Sequence, residues 1–310
     1  EKSVKAVVSF FFWFWFLPAK KRMWGKATSK GNSKGGKSKS KGSAELITKQ
    51  VALQTSSEHI LVLRSALRDE DGQDKNILQD YQKCAKFNKN GLDLVYEFYT
   101  SLPRSLFKFC FGLSRSNLEK SYNSCGYGWV DDEKKGELKQ PEARFLLIRR
   151  RTSAEINGTD SKEEQDKKEY VGFVNLRFTL TGEVVDENSG EPCLMLYDLQ
   201  LIPEVQRKGV GKYTMMLLEL IAKKQKMLHM MAPVVKHNPA AHSFFTKAVR
   251  GFGLDKEYGQ DETQAILSKS LKPPAPKVAK TPVAAPLAAE EKTHKADKAD
   301  KADKADKADK

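Results

Sequence analysis

Residues 206–213 read QRKGVGKY and lie between an apolar run typical of a strand and an apolar run typical of a helix. Because Gly209 and Gly211 lack a Cβ, the backbone around them can approach a ligand closely. At the start of a helix, free amides and the helix dipole attract an anion. The stretch predicts a phosphate- or pyrophosphate-binding loop, with a plain glycine turn before an amphipathic helix as the alternative.

The spacing of this loop excludes two common phosphate-binding motifs. A Walker loop would need a glycine at Gln206 and a serine or threonine at Tyr213. A dinucleotide-binding fingerprint would need a third glycine at Thr214. The pattern that remains is Q/R-x-x-G-x-G/A, met by Gln206, Gly209 and Gly211.

The basic charge of the chain lies mainly at its two ends. The 310 residues carry a formal net charge of +14, of which residues 1–43 hold about +10 and residues 271–310 about +3. The part between them is nearly neutral, which argues against a basic nucleic-acid groove in the core. The hydrophobic content of 39% is enough for one real core, and the length allows one or two domains.

Three segments follow from this composition. Residues 1–43 are predicted to be a disordered basic segment and residues 273–310 a disordered Pro/Ala and Lys-Ala-Asp repeat tail. Residues 44–272 are predicted to form the folded domain, including an N-terminal helical extension. The role of the Lys-Ala-Asp repeats is left open.

The first 22 residues contain the apolar run VVSFFFWFWFL. Its length of about eleven residues is well below the ~20 that span a bilayer as a helix. Because Met23 opens a stretch that reads like a cytosolic start, we interpret residues 1–22 as upstream translation or a gene-model artefact. A secretory or plastid signal is the alternative.

The four cysteines form no CxxC pair and no zinc spacing, which indicates reduced thiols and no metal.

Between the tails the pattern is mixed α/β. It predicts a helix over 44–67, a strand over 92–100, helices over 103–113 and 116–124, and a polar loop. Strands RFLLIRR and YVGFVNLRFTL follow, joined by a charged loop over 152–169. The apolar strand CLMLYDLQLI, the glycine loop with its helix, the strand HMMAPVV, a helix from near Asn238 and a closing strand QAILSKSL complete the order.

This order, with the glycine loop after the fourth predicted strand, resembles the GCN5-related N-acetyltransferase (GNAT) superfamily. A second superfamily motif, N-x-x-A-x-x-F-Y, is matched by Asn238, Ala241, Phe244 and, in the last place, Phe245. The resemblance covers residues 92–269. It implies an α/β fold with a mixed, mostly antiparallel sheet flanked by helices and splayed between the fourth and fifth strands, with acetyl-CoA as cosubstrate.

Four stretches narrow the resemblance: SNLEKSYNSCGYGW, YDLQL, VQRKGVGK and VVKHNPAAHSFF. Together they look like the NatD family, the histone-specific N-terminal acetyltransferases. That family acetylates the α-amine of histone four and histone two-A, whose tails begin Ser-Gly-Arg-Gly. The resemblance implies an N-alpha-acetyltransferase that acts on histone N-terminal tails in nucleus and cytoplasm.

The superfamily resemblance also implies a set of residues that hold acetyl-CoA. Backbone groups of the fourth strand would bond the pantetheine arm, and loop amides and basic side chains would hold the pyrophosphate. Asn238 would bond the cofactor arm, although the same residue type commonly caps a helix. The implied cofactor-binding residues are Leu199, Gln200, Leu201, Gln206, Arg207, Lys208, Gly209, Val210, Gly211, Lys212 and Asn238.

The implied chemistry needs a group that deprotonates the substrate ammonium. Asp198 stands at the position of the family's glutamate and is expected to act as base, directly or through water, with Tyr197 beside it. Tyr122, Tyr127, Trp129 and Tyr197 are expected to line the substrate pocket, whereas a purely structural interpretation makes the aromatic residues part of the core.

Two departures from the family pattern are visible. Phe245 has no hydroxyl to protonate the leaving thiolate, and Thr179 replaces the acidic residue that holds the substrate arginine in NatD. A run over 183–204 with six acidic residues and no lysine or arginine is expected to attract a basic peptide instead, with a solvated turn as the alternative.

The expected partners are histone tails, with ribosome or nucleosome contacts through the basic N-terminal segment. Neither sequence-specific nucleic-acid binding nor a membrane is expected. An acetyltransferase of another peptide or of a small-molecule amine, and a non-catalytic acetyl-CoA-binding module, are the rival functions.

Overall fold

The computed structural model describes residues 57–158, 168–181 and 190–273. The chain divides into two units, Glu1–Lys272 and Pro273–Lys310, and every element described below belongs to the first. The predictions for residues 1–43, for 44–56 of the first helix and for the tail beyond residue 273 lie outside the described residues. They stay predictions.

The long strands and the helix after the glycine loop occur in the order that the sequence pattern indicates. The strands are β1 Lys86–Lys89, β2 Leu92–Tyr99, β3 Arg144–Arg150, β4 Tyr170–Leu180, β5 Pro192–Leu201, β6 His229–Val235, β7 Gly253–Leu254 and β8 Gln264–Ser270. The helices are α1 (57–67), α2 Arg104–Ser124, α3 Asp131–Glu137, α4 Ser153–Asn157, α5 Val210–Lys224 and α6 Pro239–Ser243, with a π-helical turn at Phe244–Ala248.

The strands form one sheet in the order β1-β2-β3-β4-β5-β6-β8-β7. All neighbours are antiparallel except β5 and β6, which pair in parallel over three positions only, Cys193–Met195 against His229–Met231. Beyond these positions the two strands separate. The predicted splay between the fourth and fifth strands is confirmed, and it lies between β5 and β6 because β1 precedes the strand that the pattern predicts as the first.

The sheet is covered on both faces, since two apolar clusters contact it. On one face, Leu217, Leu218 and Ile221 of α5 are fully buried against strand residues such as Leu94 and Ile148. Each such side chain contributes about 1.5–3 kcal/mol by leaving water. On the other face, α2 and the segment after α3 pack through a second cluster onto β3 and β4. The result is the predicted three-layer arrangement, which fixes the ends of α2 and α3 beside β5.

Four predictions about local structure are wrong. The stretch 103–124 forms one continuous helix, because Ser114 is buried and the intervening polar residues do not break the backbone ladder. The strand β1 and its tight Asn90-Gly91 turn were not predicted, although this dipeptide is a strong hairpin signal.

The other two errors concern segments interpreted as loops. Residues 131–137 form helix α3, in which three acidic residues precede two lysines and complement the helix dipole. Residues 153–157 form helix α4, which begins with a capping box between Thr152 and Glu155. Short charged helices of this kind have little apolar periodicity, so the hydrophobic pattern of the sequence does not predict them.

Candidate active site

The glycine loop lies directly before α5, at the end of β5. Gly209 is the N-cap of α5 with φ of +89°, in the left-handed region that favours glycine. The helical ladder begins with the amide of Tyr213 donating to the carbonyl of Gly209 at 3.0 Å. The amides of Val210, Gly211 and Lys212 in the first turn therefore have no carbonyl one turn earlier within the helix. These donors and the helix dipole suit an anion.

The side chains around this loop hold its shape. The side-chain amide of Gln206 donates to the backbone carbonyl of Leu201 at 2.9 Å. The side-chain amide of Asn90 donates to the backbone carbonyl of Lys208 at 2.9 Å. A Cβ on Gly211 would lie 3.2 Å from the ring of Phe244, so glycine here permits close helix packing. Gln206 supports the loop from β5 in this structure. Arg207 and Lys208 are exposed on the loop itself.

The second motif lies on α6 and the π-helical turn. Asn238 caps α6, because its side-chain oxygen Oδ1 accepts a hydrogen bond from the backbone amide of Ala241 at 3.0 Å. Its side-chain amide group remains as a donor. Phe244 faces the glycine loop, whereas Phe245 is buried against the ring of Phe252 at 5.3 Å between centroids. Residue 245 is therefore part of the core. A phenylalanine in place of the family's tyrosine leaves no gap beside the glycine loop.

Strand β5 carries the residues predicted to react, and it is irregular at that point. Opposite β4, Asn175 pairs with Asp198 but Leu176 pairs with Leu196, so Tyr197 is an extra residue on β5. Bulges of this kind re-aim side chains next to active sites. The ring of Tyr197 packs against the guanidinium of Arg177 at 4.1 Å, a cation–π contact that fixes its orientation.

Asp198 is fully buried within a network of polar side chains. Its Oδ2 accepts from Nζ of Lys134 at 2.7 Å and from Nδ2 of Asn175 at 3.5 Å, and its Oδ1 accepts from Nε2 of Gln200 at 3.1 Å. Lys134 also donates to Oε1 of Glu137 at 2.7 Å. One buried ammonium group thus holds two carboxylates.

The network continues from Gln200 to helix α2. Nδ2 of Asn117 donates to Oε1 of Gln200 at 3.0 Å and to the carbonyl of Leu201 at 3.2 Å. Gln200 therefore uses its side chain to orient Asp198, while Leu199 and Leu201 border the open gap toward β6.

Burial and charge shift the pKa values of this network in opposite directions. Burial alone would lower the pKa of Lys134, but the carboxylates of Asp198 and Glu137 outweigh it and the pKa is raised. Burial raises the pKa of Glu137, and the charge of Asp198 raises it further, against the lowering effect of Lys134 and Arg177. A carboxylate with a raised pKa is a stronger base than an ordinary glutamate.

The predicted aromatic residues meet beside this network. The ring of Tyr122 packs edge-on against Tyr127 and Trp129, with centroids at 5.5 and 5.6 Å. The indole of Trp129 donates to Asp131 at 2.8 Å, which anchors the loop to α3. Burial is the main cause that raises the pKa of Tyr122, so its hydroxyl stays protonated at neutral pH.

The rim of this aromatic group is acidic. Burial raises the pKa of Tyr127 to about 12, and the charges of Glu133, Glu137 and Asp261 act in the same direction. Glu133 is partly buried and makes no hydrogen bond or ion pair with the part of the chain that the structure describes. Such a carboxylate favours a cationic ligand.

The sequence pattern missed Lys134 and Glu137 because their segment was interpreted as a loop. The signal that could have found them is the DDEKKGE run, in which acidic residues precede lysines as at a helix start.

The predicted acidic run over 183–204 is only partly described, since residues 182–189 lie outside the described ranges. Glu191, at the end of that gap, contacts His229 and Lys272, each at 2.6 Å, so its charge is already compensated.

The described ranges contain no group of three or more His, Cys, Asp or Glu residues that could hold a metal ion. No helix in them is long and apolar enough to cross a bilayer. The four cysteines are free thiols, with Cys110 and Cys193 buried and the other two partly buried.

Taken together, these features suit a CoA-dependent acyltransferase site. The unpaired amides at the start of α5 suit a pyrophosphate, and the gap between β5 and β6 offers open backbone edges for an extended arm.

The comparison with known proteins assigns the class. Residues 118–252 match the model of the acetyltransferase (GNAT) family, a stretch that includes every predicted site residue. This stretch of the chain thus has the fold of the GNAT family, and acetyl-CoA fits as the cosubstrate.

Solved structures similar to this chain include two N-acetyltransferases and NAA60. PaiA from Thermoplasma acidophilum, solved in complex with coenzyme A, has 18% identity over 56% of this chain and 98% of its own, with a TM-score of 0.37. NAA60 from Arabidopsis thaliana, with a bisubstrate analogue, has 11% identity over 57% and 100%, with a TM-score of 0.37. The ribosomal-protein-S18-alanine N-acetyltransferase from Escherichia coli has 12% identity over 60% and 99%, with a TM-score of 0.36. At these identities none of the three informs on the substrate of this chain.

Proposed function

We propose that this chain is an N-alpha-acetyltransferase that transfers the acetyl group of acetyl-CoA to the N-terminal serine amine of histone four and histone two-A. The observation that carries the proposal is the aromatic group of Tyr122, Tyr127 and Trp129 near the buried carboxylate of Asp198 and the partly buried carboxylate of Glu137. A chain end that reaches this aromatic group can present its ammonium group to a carboxylate.

The chemistry favours an α-amine over a lysine side chain. An α-amine has an ordinary pKa of about 7.7–8.0 and a lysine one of about 10.4, so the lysine is harder to deprotonate by roughly two to three units. A carboxylate in this site therefore removes a proton from an α-ammonium more easily than from a lysine ammonium. This difference supports an N-terminal substrate.

The acidic rim supports a basic residue near the substrate N terminus. Thr179 lies on β4, where NatD has an acidic residue, but the charges of Glu133, Glu137 and Asp261 act on Tyr127 from other elements. An arginine in the third position of Ser-Gly-Arg-Gly suits such a rim. Because part of this charge is exposed, the attraction is screened by salt over about 8–10 Å at physiological ionic strength.

Acetyl-CoA supplies an activated acyl group as a thioester when it is bound. The loop residues Arg207, Lys208 and Gly209 and the first-turn amides of α5 would bind its pyrophosphate. The backbone of β5 from Leu199 to Leu201 would bond the arm, and the free side-chain amide group of Asn238 can donate to it. A backbone amide of β5 would polarise the acyl carbonyl.

We further propose that the partners are histone tails and that the basic segment 1–43 adds contacts to ribosomes or nucleosomes, so that the protein acts in nucleus and cytoplasm. The support is the charge of that segment alone.

The experiment is acetylation by the full chain, with labelled acetyl-CoA, of a panel of amines. The panel contains a Ser-Gly-Arg-Gly peptide, the same peptide with Arg replaced by Ala, the N-terminally blocked peptide with its lysines intact, and a polyamine. We expect label on the α-amine of the first, a slower reaction of the second that depends less on salt, and none on the blocked peptide.

Mass spectrometry locates the acetyl group. Label on lysine, or equal rates with unrelated N termini, would refute the substrate assignment, and preference for the polyamine would establish the small-molecule alternative. Binding of acetyl-CoA without transfer to any amine would establish the non-catalytic alternative.

A further inference from the structure

We propose, on the basis of the amine acetylation proposed above, that Glu137 on α3 is the catalytic residue that takes the proton from the substrate ammonium. Asp198 and Lys134 are then positioning residues that hold Glu137 in place.

The first observation is that Asp198 has no free oxygen. The side chain has no solvent exposure, Oδ2 is held by Lys134 and Asn175, and Oδ1 is held by Gln200. A substrate ammonium could reach this carboxylate only by displacing the amide of Gln200 from Oδ1 or by opening the buried ion pair at Oδ2. Removing one partner from such a pair is strongly unfavourable, since it leaves the other charge buried and unpaired.

The second observation is that Glu137 has the free oxygen that Asp198 lacks. Its side chain is 20% exposed, and Oε1 accepts from Lys134 at 2.7 Å and from Asn175 at 3.1 Å. Oε2 has no hydrogen-bond partner within the described ranges. The charge of Glu137 raises the pKa values of both Tyr122 and Tyr127, so the carboxylate lies near both hydroxyls.

A third observation shows that the cluster lacks a donor. Asn175 is fully buried, and its Nδ2 donates to the carboxylates of Glu137 and Asp198, which fixes the orientation of the amide. Its Oδ1 is buried and has no hydrogen-bond partner in the part of the chain that the structure describes. An orphaned buried acceptor is costly, and a substrate N–H group or a water would satisfy it. A donor is therefore expected beside Glu137.

The charges that face Glu137 come from three elements besides its own. Lys134 lies on α3, Asp198 on β5, Arg177 on β4 and Tyr122 on α2, and burial together with Asp198 raises the pKa of Glu137 above the ordinary 4.5. A base of this kind takes up a proton at a higher pH than an ordinary glutamate does. Activity should then rise with pH through the pKa of Glu137.

Each bond broken and each proton released in one turnover is matched by a bond formed and a proton acceptor. An N–H bond of the substrate ammonium breaks, an O–H bond forms at Oε2 of Glu137, and the electron pair stays on nitrogen. That nitrogen bonds the acetyl carbon as the C–S bond breaks. Its second proton leaves with the thiolate as a thiol, and Glu137 returns the first proton to solvent.

The experiment compares the pH profiles of kcat/KM for Glu137→Gln and Asp198→Asn in the full chain. If Glu137 is the base, Glu137→Gln lowers kcat/KM by about 100-fold or more and removes the acid limb of the profile. Asp198→Asn keeps an acid limb but moves it to lower pH, because the negative neighbour that raises the pKa of Glu137 is gone. The reverse pattern, with the limb lost in Asp198→Asn and kept in Glu137→Gln, would overturn the proposal.

Three controls keep the outcome readable. Glu137→Asp keeps the carboxylate and should retain the acid limb at a reduced rate, which a purely structural role would not predict. Asp132→Asn removes a charge from the same helix at a side chain that is 92% exposed, and should leave the profile unchanged. Calorimetric binding of acetyl-CoA and thermal unfolding confirm that each variant is folded.

The profile is measured with whichever amine of the panel reacts fastest. A wrong peptide assignment therefore does not affect it, whereas a protein that acetylates no amine would refute the proposed function and this inference with it.

Discussion

Replacing Lys134 by methionine is the most direct test of the buried network. Nζ of Lys134 lies 2.7 Å from Oδ2 of Asp198 and 2.7 Å from Oε1 of Glu137, and the three side chains are 7%, 0% and 20% exposed. Methionine fills a similar volume but leaves two neighbouring carboxylates without their cation. Breaking a buried pair in this way costs about 3–5 kcal/mol. A typical domain has only about 5–15 kcal/mol of total stability.

The assay is urea unfolding of Lys134→Met beside Lys135→Met at neutral pH. Lys135 is the next residue on α3 and is 36% exposed, and its partners Asp131 and Asp132 lie at 3.7 and 3.3 Å on the surface. Surface pairs of this kind contribute about 1 kcal/mol or less. A similar loss of unfolding free energy in both variants would refute the assignment of Lys134 as the buried clamp.

The pH dependence gives a second check on the same variant. The loss in Lys134→Met comes from two charged carboxylates, so protonation relieves it. We expect the difference in unfolding free energy between the variant and the parent to shrink as the pH falls toward 4. A difference that stays constant would indicate lost packing and not lost charge.

Three further predictions concern the loop, the acid stability and the tails. Gly209→Val forces a β-branched residue into the left-handed region, so calorimetry should show a steep loss of acetyl-CoA affinity with the fold intact, and unchanged binding would contradict the loop assignment. Arg149 lowers the pKa of Glu155 to about 2 from 4.5, so its contribution is present above pH 4.5 and is lost as the pH falls toward 2; Glu155→Gln should flatten acid unfolding in that window. Deleting residues 1–43 and 273–310 should leave turnover on a short peptide nearly unchanged, and loss of the thermal transition would show that these segments take part in the fold.

The sequence by itself determined the order of the main elements and the place of the cofactor loop. Period-two and helical patterns located the long strands and α5, because burial on one face leaves a regular trace in the residues. The loop was visible because Gly209 and Gly211 are needed for local backbone geometry, which depends on nearby residues only. The cap formed by Asn238 is local in the same sense.

Only the tertiary structure decided which carboxylate is free to react. Asp198 stands at the expected position on β5, but its Oδ2 accepts a hydrogen bond from Lys134 on α3. Lys134 also donates to Glu137 on the same helix, and both residues lie more than 60 positions earlier in the chain. A short charged helix has no apolar periodicity by which it could be predicted. Ion pairs between distant segments likewise produce no recognisable spacing of residues in the sequence. The electrostatic environment of a buried group is a sum over residues that folding alone brings together.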